Sequence, residues 1–185
     1  MSKWINQEIL DAFLSAVTEA DELALCAGQP SSYYNAVNPP AWIAGTAYSL
    51  AAPVRPMVDR NGFTYECTTA GTSGSNEPVW PVTDGQTVTD GTAVWTARTC
   101  LACVTANLVP ADFVISNGDA AGSRKLTVLP KTGMTAYATL TADHVALIDN
   151  AEKKLLMVTL MTEQAITSGN LVNVAAIYEE IGAPV

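Results

Sequence analysis

Few residues in this chain are equipped for chemistry: a Cys100-Leu101-Ala102-Cys103 run, a single histidine beside an acid (Asp143-His144), clustered carboxylates, and a set of large aromatic rings. The C-x-x-C spacing suits a dithiol redox pair or half of a zinc site. A redox motif opens a helix after a strand in a βαβ unit, and no such alternation surrounds this one. A zinc site needs two further ligands at matching spacing, whereas Cys26 and Cys67 are isolated and His144 stands alone. Packed, small apolar side chains are the expected role of these thiols. His144 would need a nucleophile to serve, and the chain has no Gly-x-Ser-x-Gly elbow, no His-Glu-x-x-His and no phosphate-cradling glycine loop. It is expected as a strand-edge histidine held by local hydrogen bonds. Glu179-Glu180 and Glu152 beside Lys153-Lys154 read as solvated surface. Arg124-Lys125 is a candidate contact to an acidic partner, on charge alone. No catalytic residue, metal ligand or cofactor is assigned, and the chain is expected not to be an enzyme.

The aromatic residues point to binding. Trp42, Trp80 and Trp95 are three of the four tryptophans, and all fall within residues 41 to 98, a stretch dense in Thr and Gly. Exposed flat rings recognise sugars because pyranose C–H groups pack on π surfaces while polar neighbours take the hydroxyls. A unit this small also needs large rings simply to close a core. Trp42, Tyr65 and Trp95 are expected in that core. Trp80, bracketed by Pro78 and Pro81, is open to either role, with Tyr48 and Phe63 as lesser candidates for a glycan-binding face.

The elements that must position these groups follow from composition and periodicity. With 185 residues, 49% hydrophobic and 15% charged, the chain is ordinary for a folded protein, which excludes disorder, collagen and coiled coil. Two units are expected. Nine Lys and Arg against 18 Asp and Glu give a net charge of −9, so neither nucleic acid nor an anionic membrane is an expected partner. No apolar run reaches 18 residues, and Met1 to Glu8 places an acid too early for an export signal, so four free thiols in a reducing compartment are expected.

Ile5, Ile9, Leu10, Phe13, Leu14 and Val17 recur at helical spacing and predict a helix over residues 3 to 19, with Ser2 as cap. Leu23 to Ala27 predicts a short buried strand, stopped by Gly28 and Pro30. Beyond Thr105, apolar runs at 113–115, 125–129, 134–138, 144–148, 154–160 and 172–177 predict six strands. Turn formers separate them at 116–119, 130–133, 149–150 and 168–170. The expected fold is mainly β: an N-terminal helix plus an antiparallel β-sandwich, formed by residues 1–38 and 99–185 as one discontinuous domain. Residues 39–98 read as a module inserted into one of its loops.

Ile9-Leu10-Asp11-Ala12, the Leu23 to Tyr33 run, Asp112 to Val128, His144 to Asp149 and Thr167 to Asn170, in that order, resemble a group of small tailed-bacteriophage virion proteins. The resemblance covers residues 1 to 38 and about 100 to 185. It implies a structural role: a head decoration or cement protein on the capsid exterior of a virion assembled in the host cytoplasm. The implied partners are the major capsid protein and copies of the chain itself, as a trimer. The stretch between resembles a small module of phage tail and head proteins, similar to the chitin- and cellulose-binding modules of secreted hydrolases. Its marks are Trp42 and Tyr48, Asn61 to Cys67, Gly71 to Gly74, Glu77-Pro78 with Trp80-Pro81, and Thr89-Asp90-Gly91 with Trp95. That kinship implies a three-stranded β unit and, as the alternative role, a tail-associated adhesin binding cell-surface polysaccharide.

Overall fold

The computed structural model describes residues 5–182. Its first part runs α1 (Gln7–Val17), β1 (Glu22–Cys26), α2 (Tyr33–Ala36), β2 (Ala47–Tyr48), β3 (Pro53–Val54), β4 (Phe63–Thr69), β5 (Gly71–Thr72), β6 (Thr87–Asp90) and β7 (Ala93–Thr99). Then follow β8 (Ala102–Asn107), a 3-10 turn at Pro110–Asp112, β9 (Phe113–Asn117), β10 (Arg124–Val128), β11 (Lys131–Thr135), β12 (Leu140–Asp149), β13 (Lys154–Ile166), β14 (Leu171–Val174) and β15 (Ile177–Ile181). The protein is mainly β, with an N-terminal helix and several antiparallel sheets.

Helix α1 is shorter than its periodicity suggests, and Ser2 and residues 3 and 4 lie outside the described residues. Asn6 caps it, its Oδ1 accepting from the Glu8 N–H at 3.0 Å, which satisfies one of the donors that a helix start leaves free. Leu10 and Leu14 are buried, whereas Ile9 and Phe13 on the same apolar stripe stay exposed.

The central sheet has the order β13-β12-β1-β8, antiparallel throughout. All five residues of β1 are buried, so both faces of this sheet are covered. Side chains alternate between faces along a strand. Leu23, Leu25, Val145 and Leu147 therefore join one core with Val128, Met134, Val172 and Val174. Ala24, Cys26, Ala146 and Ile148 join a second core with Tyr33, Ala36 and Val37 of the α2 region. The expected pairing of two sheets gives way to a layered body. One face of the central sheet carries the sheets β15-β10-β9 and β11-β14; the other carries α2. Two boundaries also move. Pro130 to Gly133, expected as a turn, mostly enters β11, where a register shift between Lys131 and Met134 accommodates Gly133 at φ +69°. The run 172–177 breaks into β14 and β15.

Strands β1 and β8 are neighbours in register, Glu22 opposite Asn107 and Leu25 opposite Val104, although the whole 39–98 stretch lies between them in sequence. That stretch supplies a third core of its own: Trp42, Val54, Tyr65, Cys67, Ala93, Trp95 and Ala97. Its strands form a four-stranded sheet, β3-β4-β7-β6, and a two-stranded one, β2-β5, where three strands were expected. Short strands alone would not hold so small a sheet; the large rings packed on one of its faces do.

Candidate functional site

The rings of residues 39–98 are organised by one buried acid. Asp90 Oδ2 accepts from Trp42 Nε1 at 2.7 Å and from Trp95 Nε1 at 3.0 Å, and Oδ1 accepts from the Gly74 N–H at 2.7 Å. Burying a carboxylate is costly unless donors meet it, and three do here. Asp90 ends β6, and Gly91 at φ +61° starts the two-residue turn into β7, where Asp90 faces Ala93. A Cβ at Gly91 would sit 2.3 Å from the Thr72 carbonyl oxygen, so this turn also fixes how closely the loop beyond β5 approaches. Trp42, Tyr65 and Trp95 are core residues, as their spacing suggested, each no more than 2% exposed.

The three candidate glycan contacts do not form one open platform. Trp80 is half-buried, lying tilted on Tyr65 at 4.2 Å between centroids and edge-on to Trp95 at 6.0 Å. Its Nε1–H donates to Glu77 Oε1 at 2.7 Å, and the same oxygen accepts from the Met57 N–H at 2.7 Å. Tyr48 is half-buried against Trp95, with a centroid distance of 4.8 Å, and its hydroxyl accepts from the Ile43 N–H. Phe63 is half-buried too and lines a separate cavity with Arg60 and Tyr137.

What the Trp80 loop does expose is aliphatic. Glu77 draws residues 57–58 and the 77–82 loop together, and Met57, Val58, Val79 and Val82 are all exposed there, Val79 by 93%. Contiguous exposed apolar patches mark interaction surfaces. A polar cleft lies elsewhere, where Ser31, Ser32 and Asn35 face Glu66, Asp84 and Arg98. Its groups are largely committed. Arg98 pairs with Glu66 at 2.7 Å, Asn35 Oδ1 accepts from both serines, and Asp84 Oδ1 accepts from the Thr99 N–H at 2.7 Å.

The other chemistry-bearing residues make contacts within the fold. All four cysteines are free; Cys26, Cys67 and Cys103 are buried, and burial raises every one of the four thiols, Cys103 to about 11. Among the described residues no group of three or more His, Cys, Asp or Glu is placed to hold a metal ion. His144 sits inside the central sheet, paired with Cys26 and Leu160, and not at its edge as expected; Asp143 holds its Nδ1 at 2.7 Å and also accepts from the Gly28 N–H. Arg124 is consumed within the fold, its Nε and Nη2 forking onto Asp11 at 2.6 and 3.1 Å and so pinning α1 to β10. Lys125 pairs with Asp119 at 2.7 Å.

Glu180 is likewise no mere solvated acid. Its carboxylate accepts from the Ser123 hydroxyl and from the Asp119 and Ala120 N–H groups at 2.9 and 3.0 Å, and these donors hold it down to about 2. Asp90, Glu77 and Glu180 are the residues that spacing alone did not single out for these roles. The only local signal was the Asp90-Gly91 pair, which marks a hairpin turn. No helix among the described residues is long and apolar enough to cross a membrane. No family model, curated protein or solved structure matches the chain.

Proposed function

We propose that this protein is a structural component of a tailed-phage particle, a head decoration or cement protein. In this reading the discontinuous body, residues 1–38 and 99–185, binds the capsid surface, and residues 39–98 form a module inserted into it that projects outward. The observation that carries the reading is the pairing of β1 with β8. It joins the two flanking stretches in one core while the intervening residues close around Trp42, Tyr65 and Trp95. A rigid anchor bearing a self-contained projection suits a lattice protein, whose many identical contacts act together so that each alone can be weak. The ordered motifs that resemble phage virion proteins lie in the anchoring part. No cofactor enters this reading, and its partners are the major capsid protein and further copies of the chain.

In this reading the exposed aliphatic surface around Trp80 is a contact surface of the projecting unit. Quantitative mass spectrometry of purified particles tests the assignment. A shell protein is expected on the order of hundreds of copies per particle, and a count of a few to dozens, as near a tail, would overturn it. Retention on chitin or cellulose that is lost in Trp80→Ala would favour the adhesin role instead.

A further inference from the structure

A cavity of about 390 Å³, apart from the Trp80 loop, lies where residues 60–63 meet Cys100, Ala102 and the 137–140 segment. Arg60 and Phe63 come to it from one side, and Cys100, Tyr137, Leu140 and Ser168 from the other. The Arg60 guanidinium lies over the Tyr137 ring, 3.9 Å from its centroid, and Nη2–H donates to Asn38 Oδ1. None of the ion pairs among the described residues includes Arg60. The guanidinium is half-buried and its fork has no carboxylate partner among the described residues, as is also true of the nearby half-buried Arg55. The Tyr137 ring forms part of the same wall; its hydroxyl is buried behind that wall, out of reach of solvent, with no hydrogen-bond partner among the described residues. Phe63, Ala102, Ala138 and Leu140 make the remaining walls largely apolar.

We propose that this cavity binds a small organic carboxylate with an apolar body, the carboxylate seated on Arg60 and the body against Phe63 and Leu140. The volume falls in the range of small-molecule sites, which are concave, mainly apolar and carry a few polar groups that fix orientation. The planar guanidinium fork fits a carboxylate, and the net charge of −9 disfavours a more highly charged anion. The site does not depend on where in a particle the protein acts.

Titration of the full-length protein with benzoate, followed through the backbone amide resonances of Gly62 and Ser168, tests the proposal, with benzyl alcohol and acetate as controls. Benzoate is expected to saturate at millimolar concentration or below. Benzyl alcohol, which has the body without the charge, and acetate, which has the charge without the body, are each expected to bind about tenfold more weakly or worse. Arg60→Gln is expected to lose about tenfold in benzoate affinity and to leave benzyl alcohol unchanged. Should Arg60→Gln loosen the fold, Arg60→Lys keeps a cation over Tyr137 without the fork and is expected to weaken benzoate about threefold or more. Absence of saturable shifts, equal affinity for benzoate and benzyl alcohol, or unchanged benzoate affinity in a folded Arg60 variant would each overturn the proposal.

Discussion

Replacing Asp90 by alanine tests whether residues 39–98 stand on their own core. The substitution removes the acceptor shared by the Trp42 and Trp95 indoles and the acceptor of the Gly74 N–H. Both indoles are buried, so two N–H groups lose their partner without gaining water, at about 1 to 3 kcal/mol each. Gly74 is only half-buried and can rehydrate, and removing a buried charge returns part of the loss. A net destabilisation of about 3 kcal/mol follows. That is comparable with the whole stability of a unit of this size, at about 0.05 to 0.15 kcal/mol per residue. Asp90→Asn keeps one acceptor but turns a donor toward the surrounding N–H groups, and is expected to cost about half as much. Chemical denaturation read by indole fluorescence follows residues 39–98, because three of the four tryptophans lie there. Amide hydrogen exchange at Leu23 and Leu147 follows the central sheet. In Asp90→Ala the fluorescence transition is expected to move to lower denaturant while protection at Leu23 and Leu147 persists. A cost below about 1 kcal/mol, or loss of protection in step with the fluorescence, would refute the reasoning.

Other perturbations have definite signs. Glu22 is buried and its carboxyl is raised above the ordinary value, mainly by desolvation, against the Asn150 amide that donates to it at 2.8 Å. Its ionised form therefore weakens the fold; the penalty is complete above that raised value, shrinks as the pH falls from there to the ordinary value near 4.5, and is gone below it. Glu22→Gln should raise stability at pH 7 and change it little at pH 4, as denaturant melts at the two pH values will show. Glu180 runs the other way. Its carboxylate is held down to about 2, so its contribution is complete above the ordinary value near 4.5 and is lost as the pH falls from there through 2. Protection factors at β15, which remove the intrinsic pH dependence of amide exchange, should fall across that window in the native protein, whereas in Glu180→Gln they should already be reduced at pH 6. Gly91→Ala should cost about 1 to 3 kcal/mol in thermal melts, because the position combines a positive φ with a carbonyl oxygen 2.3 Å from the added carbon.

The parts of this fold that were legible in the sequence are those decided locally. The apolar runs around Leu23 to Cys26 and Val145 to Ile148 announced buried strands, and Ser168-Gly169-Asn170 announced the turn after β13, with Gly169 at φ +85°. The large rings of Trp42, Tyr65 and Trp95 were legible as core, since so small a unit has little else to bury. Partner choice was not legible. Arg124 meets Asp11 across 113 positions and Ser123 meets Glu180 across 57, and nothing in a local pattern separates such acids and bases from solvated ones. The layered arrangement was hidden for a related reason. A strand buried on both faces reads as a plain apolar run, which does not say whether a second sheet or a short helix covers it. For Trp80, flanking prolines marked a loop but not which way its ring turns, and Tyr65 and Trp95 settle that by packing on it.

Single-particle electron microscopy of intact particles carrying this protein tests the assignment most directly. The proposed role predicts density for the chain at repeating sites on the outer capsid face, with the β1–β8 body against the shell and residues 39–98 pointing into solvent. Density confined to the tail, or the aromatic unit turned toward the shell with the central sheet exposed, would contradict it.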